Sequence, residues 1–430
     1  PQDNSNWGTT RVHLTTAVPS GSSATFNFTV VAPTTPGSYH FQWQMVRDGV
    51  AWFGNTSPDV VVSVSAPAGG GPAPARTDPL NRTGQPGDDL LSRNFNWSVP
   101  LVGLKGRAGL DLGLALSYNS LVWTKDGSTM TFDADQGDPT PGFRLGFPVI
   151  QGPYYNNQVG VWTYMLLTPA GARVELRQVG TSNAYESADS SYLRLLVLTG
   201  GQLQLWTPDG TCHSYVYAFN NYRCWEIKDR NGNYIRINYD GYQRLLSVVD
   251  TLGRTLSFTY DAYNKPLTIE QTWQREVLSG TQTTMQTETH TWATFGYSNL
   301  TIQTNFPGLT LAGSTNGQTI PVLTQVGTAD GTRYNFDYTT YGQVYRITRS
   351  TQDDDLVWRP RQYVKYNLPL DASAAQTDCP RFTERRDWAS NWHGDNGDTV
   401  ATAAEEVVTT YSAWDATGAS AQVTMPDGAI

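Results

Sequence analysis

Residues 229–265 read DRNGNYIRINYDGYQRLLSVVDTLGRTLSFTYDAYNK and state one pattern twice. Asp229, Gly232, Tyr239 and Asp240 return as Asp250, Gly253, Tyr260 and Asp261, each 21 positions on. Counting forward from a glycine finds two further units. Gly210 leads to Tyr217, Gly232 to Tyr239, Gly253 to Tyr260 and Gly331 to Tyr338, an interval of seven in all four. Positions three, five and seven after each glycine are His213, Tyr215, Tyr217; Ile235, Ile237, Tyr239; Leu256, Phe258, Tyr260; and Tyr334, Phe336, Tyr338. All but His213 are apolar or aromatic, and the positions between them are mainly polar. That two-residue period is a strand with one buried face. A return strand follows, with Leu246 and Val248, Leu267 and Ile269, and Tyr345 and Ile347 expected to turn inward. Each unit is therefore a β-hairpin of about 21 residues, marginal alone and stable when stacked. The tyrosines fall in the buried stripe. Asp229, Asp250 and Asp330 fall beside turn glycines, where a carboxylate caps backbone N–H groups.

The rest of the chain agrees with an all-β reading. Among 430 residues are 23 Tyr, 14 Trp, 14 Phe and 40 Gly, a composition of pleated surfaces and turns. A net charge of −9 and no run of four Lys/Arg argue against a nucleic-acid partner. No stretch of about 18 apolar residues predicts a membrane span. The leucines at 110, 112, 114 and 116 alternate as in a strand, and glycines at 103, 106, 109 and 113 count against a helix.

Residues 65–79, SAPAGGGPAPARTDP, form the clearest boundary, a Gly/Pro/Ala linker. Before it, residues 1–64 contain strand-like runs at 24–32, 37–49 and 59–65. The stretch APTTPGSYHFQWQMVRDGVAWFG (32–54), with upstream NSNWG, resembles the Trp-rich, immunoglobulin-like FW domain, here lacking its first strands. That resemblance implies a partial β-sandwich with Trp43 and Trp52 in its core. The abrupt first and last residues suggest a piece of a longer protein.

The tandem Gly-to-Tyr-Asp pattern resembles the YD, or Rhs, repeat of bacterial Rhs proteins, toxin-complex cocoons and animal teneurins. Segments such as GLDLGLALSYNS, FDADQGDPTPGFRLGFP and LTPAGARVEL are similar to the lead-in of secreted bacterial members. The architecture implied is a partial immunoglobulin-like β-sandwich, then a lead-in at 80–200 and a spiralling β-hairpin repeat sheet at 201–430, winding into a hollow shell. Repetition weakens at 271–319, read as longer strands anchored by Trp292, Phe295 and Tyr297, and at 371–399, read as a loop excursion. The resemblance also implies a secreted or cell-surface bacterial protein that encloses or displays a cargo such as a C-terminal toxin. An extracellular carbohydrate-binding or adhesion module is the alternative, and self-assembly into a fibre a third.

Signals of chemistry are sparse. His13, His40, His213, His290 and His393 lie in unrelated segments, and no nucleophile motif accompanies them. No catalytic or cofactor-binding residue is assigned, and a β-rich hydrolase is the least favoured class. Acidic loops at 133–138, 353–355 and 393–398 are candidates for calcium, without the full EF-hand pattern. Cys212 sits on the polar face of the first unit. Taking Trp225 and Ile227 as inward places Cys224 on that face too, so a Cys212–Cys224 cross-strand disulfide is geometrically allowed and suits an oxidising exterior. Free thiols are the other outcome.

Overall fold

A computed structural model of the chain describes residues 4, 6, 7, 9–14, 16–31, 33, 37–64, 87–89, 94–169, 171–218, 220–279, 282–389, 406–412 and 422–425. The linker at 65–79 and the acidic loop at 393–398 lie outside them. The chain divides into two compact units, Pro1–Gly70 and Gly71–Ile430.

In the first unit, Gly37–Phe41 pairs antiparallel with Val60–Val64, and Met45–Arg47 with Ala51–Phe53. Residues 24–31, expected as a strand, have no strand pairing and touch Trp7 through Val31 N–H, 3.0 Å from the Trp7 carbonyl. Trp7 is buried and meets Phe41 edge-on at 5.0 Å, and Trp43 meets Phe28 at 4.8 Å. Trp52 does not fill a core: it lies on the short hairpin and is exposed.

The second unit is dominated by one antiparallel sheet of 20 strands among the described residues, running from Val149–Asn156 to Gln422–Thr424 in sequence order. One strand, Thr310–Ala312, leaves that order and pairs parallel with Thr129–Phe132. Short turns explain the regularity, because a hairpin connection of a few residues leaves each strand beside its predecessor. The long strands Pro266–Ser279 and Gln282–Thr301 occupy the irregular region, with Phe295 buried and Trp292 and Tyr297 packed against the core. Glu384–Ala389 is a strand paired with Trp358–Tyr366, where the sequence suggested only loop.

The sheet also meets itself. Val149–Asn156 pairs with its successor Val161–Leu167 and, through Val149 and Ile150, with Arg223 and Tyr222 of Asn221–Lys228. The first eight strands thus close into a ring, and the later strands continue from the closing one, Asn221–Lys228, through Tyr234–Tyr239.

The lead-in supplies a second sheet, in which Asn94–Leu104 and Leu112–Asn119 form a hairpin flanked by Phe143–Leu145 and Gly87–Asp89. Leu112, Leu114 and Leu116 are fully buried. Its aromatic face packs on the inward face of the repeats. Phe95 stacks on Tyr366 at 3.8 Å, Trp97 meets Phe336 at 5.2 Å and Phe143 meets Phe336 at 4.9 Å. Buried hydrogen bonds pin the two together: Trp123 Nε1 donates to Tyr341 O (2.7 Å), Val344 N to the Tyr118 hydroxyl (2.8 Å) and Gln343 Nε2 to Ser120 O (2.8 Å). The lead-in thus packs on the inward face of the later strands.

Candidate functional site: the tyrosine bridges and the closing seam

Each repeat turn is built in the same way. In the turn from Asp240 to Arg244, Asp240 N donates to Arg244 O (2.9 Å), Gln243 N to Asp240 O (2.9 Å), and Gln243 has φ of 61°. This is a three-residue hairpin loop, a type I turn closed by a left-handed residue. The left-handed position is Gly232, Gly253 and Gly331 in neighbouring units and Asn264 or Leu356 in others. The aspartate holds the turn from its first position. Asp240 Oδ1 accepts from Tyr242 N (2.9 Å) and Arg244 N (3.0 Å), and Asp261 Oδ1 from Tyr263 N and Lys265 N (2.8 Å each). Asp250 does the same for Leu252 and Arg254 and pairs with the Arg254 guanidinium at 2.5 Å. These bonds to the ionised carboxylates hold Asp229, Asp240 and Asp330 below the usual carboxylate pKa. Successive turns are tied to each other and to the lead-in: Arg244 Nη1 donates to Asn264 Oδ1, Arg254 Nη2 to Lys105 O and Lys265 Nζ to Pro139 O, each at 2.6 Å.

The tyrosines do more than fill a stripe. The hydroxyls of Tyr239, Tyr260 and Tyr338 donate to the carbonyls of Cys224 (2.8 Å), Leu245 (2.8 Å) and Leu323 (2.7 Å), each 15 residues upstream. Tyr297 does the same to Pro266 O at 3.0 Å. The register explains the choice of partner. Leu245, for example, lies two residues before Ser247, where pairing with the next strand begins, so its carbonyl faces a gap between splayed strands. Tyr260 lies three residues beyond Ser257, the last paired residue opposite, and its phenol crosses that gap. The same offsets hold for Tyr239, Tyr297 and Tyr338. A phenylalanine would fill the space and leave a carbonyl unpaired. Tyr297 was not legible as a member because its unit has lost the glycine interval.

The first unit departs from this plan. Its bulge falls between Ser214 and Tyr215; Tyr215 is buried as expected, whereas Tyr217 is not. Tyr217 is exposed and packs edge-on against Tyr222 at 5.0 Å. The same bulge leaves Trp225 half-exposed and sends Cys224 inward opposite Tyr215, while Cys212 lies opposite Lys228. The Cys212–Cys224 disulfide that the sequence allowed is not formed, and both thiols, with Cys379, are free and buried. Bulges correct the return strands as well. Leu245 and Val344 are buried, whereas Leu246 and Leu267 are exposed, because one extra residue beside each bridging tyrosine flips the face.

Where the ring closes, charge is buried. The loop 133–138 brings Asp133, Asp135 and Asp138 beside the fully buried Arg144, whose Nη2 donates to Asp135 O at 3.0 Å. Arg173 Nη2 approaches Asp135 at 3.4 Å, and Asn221 Nδ2 donates to Gln136 Oε1 at 2.6 Å. A cavity of about 20 Å³ between Gln136, Asp138, Arg144, Asn221, Arg223 and Tyr239 has room for one water, matching Arg223 Nε and Asn221 Oδ1, which have no protein partner. Burial pushes the Asp133 carboxyl up to about 6. Guanidinium groups thus take the place a dication would occupy, so the calcium reading of 133–138 is withdrawn. At 353–355, Asp353 and Asp355 pair with Arg359 and Arg361, which removes that reading too. Among the described residues no cluster of metal-ligating side chains occurs.

The nucleophile inventory is equally structural. Burial raises the Cys212 and Cys224 thiols and pushes Cys379 up to about 11, so none presents a thiolate at neutral pH. Burial lowers His213 to about 4, which keeps its imidazole neutral. No helix among the described residues is long and apolar enough to cross a membrane.

Comparison with known proteins bears on this geometry. Residues 239–276, which begin at a bridging tyrosine, match the RHS Repeat family. No curated protein matches the chain. Among solved structures the chain is similar to TcdB2-TccC3-Cdc42, at 13% identity over 64% of this chain and 16% of that one, with a TM-score of 0.28. It is similar to TcdB2-TccC3, at 12% identity over 76% and 16%, with a TM-score of 0.26. The Photorhabdus luminescens Tc holotoxin pore is similar at 10% identity over 59% and 18%, with a TM-score of 0.13. The chain spans 16–18% of the length of these solved chains. Residues 239–276 thus match an RHS repeat, carried in a wound all-β sheet.

Proposed function

We propose that these residues form a non-catalytic, closed end of a larger secreted or cell-surface bacterial β-shell that encloses or displays a cargo, such as a toxin segment of the same protein. The observation that carries this reading is the seam, where Val149 and Ile150 pair with Arg223 and Tyr222. A sheet that closes on itself has no free edge there, and the lead-in packs against the inward face of the later strands. Turn-to-turn bonds favour a rigid wall over a flexible linker. The N-terminal unit fits a partial FW-type module.

The test is protease protection in the natural full-length protein. Native digestion leaves the cargo segment intact, and Ile150→Ala, which removes a fully buried seam side chain, increases its cleavage. Cleavage of the cargo at the same rate in the native protein and in urea overturns enclosure.

A further inference from the structure

A second site lies on the sheet away from the seam, at the strand end where the turn Thr328–Gly331 approaches the long strand Gln282–Thr301. Thr294, Gly327 and Arg333 sit directly opposite one another on three neighbouring strands, so their side chains share one face. Gly327 contributes no side chain, and a Cβ there would meet Thr294 Oγ1 at 2.6 Å. The result is a recess of about 200 Å³ beside Trp292, Thr294, Gly327, Thr328, Arg333 and Trp358. It is smaller than the roughly 300–1,000 Å³ that encloses a drug-sized ligand and suits a single ring.

Arg333 sets the chemistry. Its guanidinium lies over the Trp358 ring, 3.6 Å from the centroid, which leaves its in-plane N–H groups to point outward. Among the described residues no carboxylate pairs with it, and desolvation lowers its pKa. Its neighbours differ: Arg346 pairs with Asp337, Arg359 with Asp353 and Asp355, and Arg361 with Asp353. In a chain of net charge −9, an arginine held over an indole without a carboxylate partner among the described residues is conspicuous.

We infer that this recess binds a carboxylate-bearing sugar, a hexuronate or sialic acid unit. The carboxylate would take the Arg333 fork in a charge-assisted, bidentate bond. The Trp292 ring offers apolar surface to the C–H face of a pyranose, Trp358 holds Arg333 in place, and the Thr294 hydroxyl and Gln325 amide line the recess as hydrogen-bonding groups. The assignment does not rest on the shell reading, since neither residue takes part in the seam or the tyrosine bridges.

The test is saturation-transfer NMR and calorimetry on the full chain with four probes: N-acetylneuraminate, glucuronate, glucose and acetate. Binding is expected for one or both acidic sugars. Arg333→Met and Trp358→Ala should each weaken it by about tenfold or more. Glucose and acetate should bind at least about tenfold more weakly than the acidic sugar, since each keeps one half of the recognition. Equal binding of glucose overturns the carboxylate, and equal binding of acetate overturns the sugar. Absence of acidic-sugar binding at millimolar concentration, or unchanged affinity in Arg333→Met, overturns the site. Urea midpoints of both variants, matching wild type, separate loss of the site from loss of the shell.

Discussion

The tyrosine bridges make a prediction with its own control. Tyr239→Phe, Tyr260→Phe and Tyr338→Phe each keep the ring and delete one hydroxyl donating over 2.7–2.8 Å. Ring burial is unchanged, so the transfer free energy hardly moves. The loss is the hydrogen bond and the desolvation of the carbonyl left behind, about 1–3 kcal/mol in each case. The Arg244 guanidinium, 4.3 Å from the Tyr260 ring centroid, still stacks on phenylalanine, so the Tyr260 variant isolates the hydroxyl. Tyr215 is the counterpart. Its hydroxyl is fully buried and has no partner, so Tyr215→Phe removes a desolvated polar atom and is expected to be neutral or stabilising by up to about 1–2 kcal/mol. One residue type, in one repeat series, should therefore shift stability in opposite directions. Urea unfolding at equal m-value measures the difference. Native-state amide exchange at residues 245–249 and 255–260 localises it, with faster exchange expected in Tyr260→Phe. If the bridging variants fall within about 0.5 kcal/mol of wild type, or Tyr215→Phe costs as much as they do, the hydroxyl-to-carbonyl argument fails.

Other consequences can be measured alongside. Gln243→Gly and Leu356→Gly replace side chains held at φ of 61° and 63° and should each stabilise by about 1 kcal/mol in urea melts. Asp250→Ala removes a buried carboxylate serving two backbone N–H groups and the Arg254 guanidinium, so a loss of about 3 kcal/mol or more is expected in the same assay. The folded-state pKa of Asp133, raised to about 6, means that the fold favours its protonated form. That contribution is complete below the ordinary carboxylate value and is lost as pH rises through about 6. Asp133→Asn should flatten the decline of the urea midpoint across that window, and parallel curves would contradict the buried-loop reading. Alkylation under denaturing conditions without reductant should label three cysteines, whereas a count of one would restore the Cys212–Cys224 disulfide.

How much was readable depended on the range of the interaction. The seven-residue glycine-to-tyrosine interval and the alternation of Ile235 and Ile237 or Leu256 and Phe258 are local, and they specify strands, turns and stacking order, because one hairpin's backbone needs are met within about 21 residues. The turn aspartates were legible for the same reason, since their acceptors bind N–H groups two and four residues away. Bulges were not legible. A single extra residue turned Leu245 inward in place of Leu246, and in the first unit Cys224 in place of Trp225, and it is fixed by strand pairing.

The sequence by itself determined an all-β chain of repeated hairpins with buried tyrosines, because periodicity and turn chemistry act over a few residues. Tertiary structure alone decided why those residues are tyrosine and not phenylalanine: the carbonyls they serve are exposed only where neighbouring strands splay. It also decided that Val149 and Ile150 meet Arg223 and Tyr222, and that Arg144, Arg173 and Arg223 gather around the loop that carries Asp133. Those groups lie up to 90 positions apart, and the closure of a wound sheet, not any local signal, brings their charges together.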